Sequence, residues 1–291
     1  MDGVRKRRGD RQDARLVRKI DDFNKIFPFI MKGRNESAVY FTQQVRVEKT
    51  REFLRELNKK SEKTYTMFNL VLAAIVRTIA LRPQMNRFIV GNRLYARDDI
   101  VITFVTKQGR SERAPEVVLR IKYDPNDTLI DITKKTAAQI LQSRRENAEL
   151  GTDKTIKLFL HLPRFVINGA VRLVLYLDRF GAAPKSILDI DPMRSSVFVS
   201  NLGNYDMQAP HHHLYEWGSS SIFVVMGNIH KSAIITDDDR IEIGEVIDFA
   251  YTIDERISDG YYFSTVIKTF GDLVENPEPL LSPPTELPVD E

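Results

Sequence analysis

Apolar positions along this chain switch repeatedly between a period of two and a period near 3.6. Val39, Phe41, Val45 and Val47 keep one parity, so 37–47 reads as a strand with one buried face. Phe53, Leu54 and Leu57 then share a stripe among Lys, Arg and Glu, which predicts an amphipathic surface helix over 48–60. Residues 67–81 are apolar nearly all round and end at Pro83, the pattern of a helix buried in a core. Strands are predicted at 100–106 and 117–121. A helix follows over 128–147, with Leu129, Ile132, Ala137, Ile140 and Leu141 as its apolar set. Beyond Pro192 the pattern turns to strands at 196–200, 221–227, 233–236, 240–242 and 245–253, with Asp237 to Asp239 as a hairpin turn rather than a metal loop. The alternation predicts a mixed α/β chain.

Residues 155–190 fit this alternation less well. The stretch is strongly apolar, yet Lys157, Arg164, Arg172, Asp178 and Arg179 interrupt it and Pro163 breaks it, so it falls short of a bilayer span. Two readings remain. One is a helical pair packed on the domain or on a neighbouring subunit, and the other is a peripheral membrane contact through 155–180 with Arg at its rim. Packing is the first expectation, because a globular chain already has apolar surface to cover.

Composition narrows the classes. At 291 residues the chain can bury a large core without a staple, and with 42% hydrophobic and 29% charged residues it is not a disordered sequence. A net charge of +3 gives no reason to expect nucleic acid as a partner. The absence of cysteine excludes disulfides, thiolate nucleophiles and Cys-based zinc sites, and the first residues lack an apolar signal segment, so a cytoplasmic location is expected. Charge is segregated. Residues 1–19 hold eight Lys/Arg against three Asp, and the end of the chain from Glu275 holds five acids and no base. The basic arm reads as a solvated leader ahead of an RNA or anionic-membrane contact, and the Pro-rich acidic tail as extended and poorly ordered past about residue 282.

Searching for chemistry gives mostly negatives: no phosphate loop, no G-x-G-x-x-G after a strand, no G-x-S-x-G elbow and no H-E-x-x-H. His211, His212 and His213 are the one cluster of metal-ligand type, but without a second ligand set they read as a polar loop, and no metal is expected.

Two segments stand out. Phe198 to Asp206, FVSNLGNYD, is a strand ending in Ser200 and followed by Asn201, Leu202 and Gly203 where the chain must turn. Tyr251 to Leu281 reads as a strand, an Asp259-Gly260 turn and a helix with Phe263, Val266, Ile267, Phe270 and Leu273 apolar. Here the sequence resembles the catalytic domain of the 2-oxo-acid dehydrogenase (dihydrolipoamide) acyltransferases and, more distantly, chloramphenicol acetyltransferase. The family's S-N-L-G strand end is matched by Ser200 to Gly203. Its D-H-R-x-x-D-G motif is matched by Asp254, Arg256, Asp259 and Gly260, and its E-N-P-x-x-L close by Glu275, Asn276, Pro277 and Leu280. Arg82 to Phe88 is similar to its H-P-x-x-N segment. The resemblance covers about 37–147 and 195–281, with 152–194 as a helical insertion.

The resemblance implies a two-layer α/β fold with a mixed sheet flanked by helices: a leader over 1–36, one acyltransferase-like domain over 37–281 and a tail over 282–291. It also implies a homotrimer with a channel between subunits, a small-molecule acyl donor and acceptor, and coenzyme A or an acyl-CoA as substrate. Carried over by position, Ser200 is the hydrogen-bond donor to the tetrahedral oxyanion and Asp259 the ordering carboxylate, while Asn201, Arg256 and Gly260 support the site. The family's basic histidine is replaced by Glu255. An ordinary carboxylate is about four pH units too weak a base for a thiol, and proton transfer to it is uphill by about 5 kcal/mol unless burial raises the Glu. About 36 residues precede the first strand, too few for lipoyl and subunit-binding domains, so a free-standing acetyltransferase is expected. Two functions follow: CoA-dependent acyl transfer with Glu255 or a substrate-held group as base, or a catalytically degenerate member serving as a trimeric binding or assembly protein.

Overall fold

The structure, a computed structural model, describes residues 6–107, 116–145, 161–236 and 238–290. In chain order its elements begin with β1 (Ala14–Leu16), α1 (Asp22–Ile30), β2 (Ala38–Arg46), α2 (Glu48–Lys59) and α3 (Met67–Leu81). The segments β3 (Arg87–Val90), β4 (Arg93–Arg97), β5 (Ile100–Lys107), β6 (Glu116–Tyr123) and α4 (Leu129–Arg145) come next. The rest comprises α5 (Arg164–Arg179), α6 (Lys185–Ile190), β7 (Val197–Asn201), β8 (Ile222–Ile235), β9 (Ile241–Asp254) and α7 (Gly260–Glu275).

A six-stranded mixed sheet in the order β2-β9-β8-β7-β5-β6 organises the domain, with β7 parallel to both β5 and β8 and the other pairs antiparallel. Strand parity sorts its side chains. Val197, Val199, Val224, Met226, Phe249, Tyr251 and Ile253 point to one face, where α3 and α7 bury their apolar residues against them. α3 is buried on every side from Leu70 to Ala80, as its all-round apolar pattern predicts, and Thr66 and Asn69 close its N-terminus as a reciprocal capping box. Phe198, Phe223, Val225 and Ala250 point to the other face and are covered by the loop after β7, through Leu202, Ala209, Leu214 and Tyr215. The expected mixed sheet flanked by helices is present.

Several boundaries differ from the sequence reading for physical reasons. The four short strands expected after residue 221 are two 14-residue strands; in the outer half of β8 half-buried positions alternate with exposed ones and no position is fully buried, so the hydrophobic contrast fades although the ladder continues from Ile229↔Ile247 to Ile235↔Ile241. Residue 237 of the expected turn lies outside the described residues. In α4, Ala137 and Leu141 face solvent; the packed face is completed by Thr133, Thr136 and Ser143, with Tyr123 Oη hydrogen-bonded to Thr136 Oγ1 at 2.8 Å. The Asp259-Gly260 pair is a helix start and not a tight turn.

At both ends the described residues are docked, over 6–19 and 282–290, which corrects the solvated leader and the loose tail for those residues. β1 pairs with β4 in a small sheet of order β1-β4-β3, Ala14 and Val17 are buried, and Arg11 is sealed between the small sheet and α5. The apolar content of residues 1–19 is small because their burial is built on ion pairs. At the other end Arg87 holds Asp290 through a fork, with Nε–Oδ2 at 2.7 Å and Nη2–Oδ1 at 2.5 Å, and Arg77 donates to the carbonyls of Pro279 and Ser282 from within α3. Of the segment expected as an insertion, residues 161–194 contain α5 and α6; residues 152–160 lie outside the described residues.

Candidate functional site

Ser200 is the penultimate residue of β7. Parity places it on the face of Phe198, beside Val225 of β8 and one strand further from Ala250 of β9. It is half-buried, and its hydroxyl makes no hydrogen bond among the described residues, so its proton is free to be donated. The backbone beyond it is tightly fixed. Leu202 N–H donates to the Met226 carbonyl at 2.9 Å, and a Cβ on Gly203 would stand 2.6 Å from the Gly227 carbonyl oxygen, so only glycine lets the turn close over β8. The adjacent Asn201 Oδ1 is buried with no hydrogen-bond partner among the described residues. At this end of the sheet opens a groove of about 900 Å³ with Phe68, Phe104, Asn201, Tyr205 and Met226 among its walls.

The second cluster lies at the end of β9. Asp254 is wholly buried and holds Arg256 in a fork, Oδ1 to Nε at 2.8 Å and Oδ2 to Nη2 at 2.7 Å, while Arg256 Nη1 donates to the Met31 carbonyl at 2.8 Å. The pair is therefore a structural clasp between the β9 end and the segment after α1. Between its members Glu255 turns outward: its backbone N–H is held by the Ser37 carbonyl at 2.9 Å, and its side chain is exposed. Asp259 caps α7, accepting from Tyr262 N–H at 2.8 Å. Gly260 is the first helical residue; its φ is not positive, and a Cβ there would meet nothing within 4 Å. Beside Asp259 a polar cavity of about 170 Å³ is lined by Lys19, Asp21, Gln84, Arg87, Arg256 and Ser258. Gln84 and Ser258, hydrogen-bonded to each other at 2.6 Å, carry no sequence signal, because their meeting depends on the packing of α7 against the turn after α3.

The two clusters do not meet within the chain. Ser200 shares a row with Ala250, and Glu255 lies five residues further along β9 at the opposite end of the sheet. At about 3.3 Å per residue and about 4.8 Å per strand, they are on the order of 20 Å apart. Asp259 and Gly260 stand with Glu255, and Asn201 with Ser200.

The histidines form the polar loop that their isolation suggests. His212 stacks on Phe223 at 4.0 Å, His211 Nε2 lies 3.2 Å from Thr42 Oγ1, and no cluster among the described residues is arranged to hold a metal.

Comparison with known proteins bears on both clusters. The family model of the 2-oxoacid dehydrogenases acyltransferase catalytic domain matches residues 182–282, a span that contains every candidate site residue. Among solved structures, the cubic core of the pyruvate dehydrogenase multienzyme complex aligns at a TM-score of 0.59 and 14% identity, covering 96% of this chain and 95% of that one. The dihydrolipoamide acetyltransferase of Azotobacter vinelandii aligns at 0.59 and 13% identity, covering 92% and 95%. Chloramphenicol acetyltransferase aligns at 0.53 and 15%, covering 90% and 99%. No curated protein matches the chain. The described residues therefore have the fold of the dihydrolipoamide acetyltransferases and of chloramphenicol acetyltransferase, and residues 182–282 match the model of the 2-oxoacid dehydrogenases acyltransferase catalytic domain.

Proposed function

We propose that this chain is a CoA-dependent acyltransferase whose site forms between two subunits of a homotrimer, one contributing Ser200 and the other Glu255. The separation of these two residues across the sheet carries the reading, since no single chain brings them to one substrate. The Azotobacter enzyme was studied for the role of a serine, a histidine and an asparagine four positions after the histidine in its catalytic mechanism; here Glu255 and Asp259 have that spacing. Gly260 supports the same picture. Neither its backbone angles nor any neighbour among the described residues requires glycine, which leaves room for a surface approaching from outside. The exposed arm formed by the outer halves of β8 and β9, with Ile235, Ile241 and Ile243 in solvent, supplies apolar surface for subunit contact.

In this reaction the acceptor's nucleophilic atom attacks the thioester carbonyl of the acyl donor while its proton passes to the Glu255 carboxylate. The Ser200 hydroxyl donates a hydrogen bond to the oxyanion. The C–S bond then breaks, and the departing CoA sulfur takes the proton back from Glu255. A carboxylate serves as this base only if its pKa rises, and enclosure by a neighbouring subunit is the change that raises it.

Mixing inactive variants tests the shared site. Ser200→Ala and Glu255→Gln chains, each inactive with acetyl-CoA, are unfolded and refolded together in equal amounts. Random assembly then leaves about one interface in four with both intact residues, so about a quarter of wild-type turnover is expected. No recovery from mixtures that sediment as trimers would place both residues' roles elsewhere.

A further inference from the structure

α5 divides into three sectors. At about 100° per residue, Ile167, Val171, Val174 and Leu177 share one side and are half-buried against the domain, with Asp178 fully buried beneath them. Phe165, Val166, Leu173, Tyr176 and Phe180 fall in a second sector about 100° wide. No described residue covers them: Phe165 is 77% exposed, Leu173 56%, Tyr176 63% and Phe180 67%. Arg164, Arg172 and Arg179, with Asn168 and the exposed Leu175 among them, occupy the third sector along one edge of this stripe, and all three arginines are exposed. The one acid of the helix, Asp178, is turned inward and bonded to Arg11 and Arg194, so the outward charge of α5 is wholly positive.

We propose that α5 docks in the plane of an anionic lipid surface, with the Phe165–Phe180 stripe entering the headgroup boundary and the arginines pairing with lipid phosphates or carboxylates. Charge favours this occupant over a twofold pairing of α5 with the α5 of a second copy. Antiparallel packing of two α5 helices about a twofold axis would set Arg172, near the helix midpoint, against its own equivalent, with no outward acid on either helix to offset the repulsion. A lipid surface offers the complementary sign along the whole rim. The helix is too short and too charged to cross a bilayer, and no described helix is long and apolar enough to do so. The proposal concerns peripheral contact and is independent of the acyl-transfer reading.

Vesicle co-sedimentation of the full chain tests it, using phosphatidylcholine alone and phosphatidylcholine with about one-third phosphatidylserine. Binding to the anionic vesicles and little to the neutral ones is expected. Phe165→Ser/Leu173→Ser should reduce anionic binding to the neutral level, and Arg164→Gln/Arg172→Gln should weaken it about thirtyfold, the factor for two cations at about 1 kcal/mol each. These side chains are exposed, so melting temperature and sedimentation mass should match wild type. Three results would overturn the proposal: no binding to anionic vesicles, binding indifferent to the arginines, or a drop in sedimentation mass of the stripe variant, which would assign the face to contact between copies.

Discussion

Arg11 and Asp178 are 167 residues apart in sequence and 2.6 Å apart in space, Nη2 to Oδ1, with both side chains buried. The other carboxylate oxygen of Asp178 accepts from Arg194 Nη2 at 2.7 Å, just before β7. One carboxylate thus ties the first strand, the end of α5 and the lead-in to the Ser200 strand. Removing it leaves two buried guanidinium groups with only Asp13, for Arg11, and Asp191, for Arg194, as carboxylate partners. Asp178→Ala should cost on the order of 3–5 kcal/mol, and a melting temperature lower by roughly 6–20 °C is expected at this chain length. Deleting residues 1–19 removes Arg11 and the whole of β1 and should lower it comparably. A melt within about two degrees of wild type for either protein would show that these pairs contribute little.

The same region predicts a pH dependence. Burial pushes the Asp13 carboxyl up, but Arg11 and Arg97 outweigh this and hold it below the usual carboxylate range. Its folded pKa is depressed, so the folded state holds fewer protons than the unfolded chain in the interval between the two values. The stabilisation is complete above the unfolded value near 4 and is lost as pH falls through the folded one. Thermal melts from pH 7 down to about pH 3 should show Asp13→Asn less stable than wild type at neutral pH, the gap closing only below about pH 4. A gap of constant size across the range would assign the loss to packing.

How much of this was legible depends on what kind of force holds each part. Residues 67–81 were readable to the residue because an all-round apolar helix bounded by Thr66 and Pro83 has few alternatives. Ser200 to Gly203 and Asp254 to Gly260 were readable because a fixed spacing carried them. β1, β3 and β4 were not. Their strands have three to five residues and are held by Arg11, Arg97 and Asp13 as much as by Ala14, Phe88 and Tyr95, and ion pairs between distant residues leave no periodicity. The candidate site residues could be named from the sequence, but not placed relative to one another. Only the register of β7, β8 and β9 shows that Ser200 and Glu255 lie at opposite ends of the sheet.

Gly260 separates a folding role from an interface role. As the first residue of α7, with ordinary φ and open space where a Cβ would stand, it loses nothing inside its own chain on substitution. Gly260→Ala should leave the melting temperature unchanged or raise it slightly, by about 0.4–1 kcal/mol of stability, through the lower entropy of the unfolded chain. If a second subunit or substrate closes over Glu255, the same methyl group should lower acyl-transfer turnover or trimer content. A stable variant with full turnover would remove the steric part of the shared-site reading.

Glu255 decides the chemistry. An unperturbed carboxylate lies about four pH units below a thiol, so in an open site it takes a thiol proton at a cost of about 5 kcal/mol, and turnover with thiol acceptors should be slow. Glu255→His places an imidazole with pKa near 6.5 at the same exposed position and recovers about half of that deficit. If the exchange is the only departure from a working site, acetyl-CoA turnover with small thiol acceptors should rise at least tenfold in Glu255→His. Ser200→Ala in that background should lower it again by about a hundredfold through loss of the oxyanion donor. The alternative outcome is equally definite: if wild type turns over and Glu255→Gln abolishes it, Glu255 is the base, and a pH–rate profile should report its ionisation above the ordinary carboxylate range. Inactivity of both wild type and Glu255→His, together with no CoA binding by calorimetry, would sink acyl transfer and leave assembly as the function of the fold.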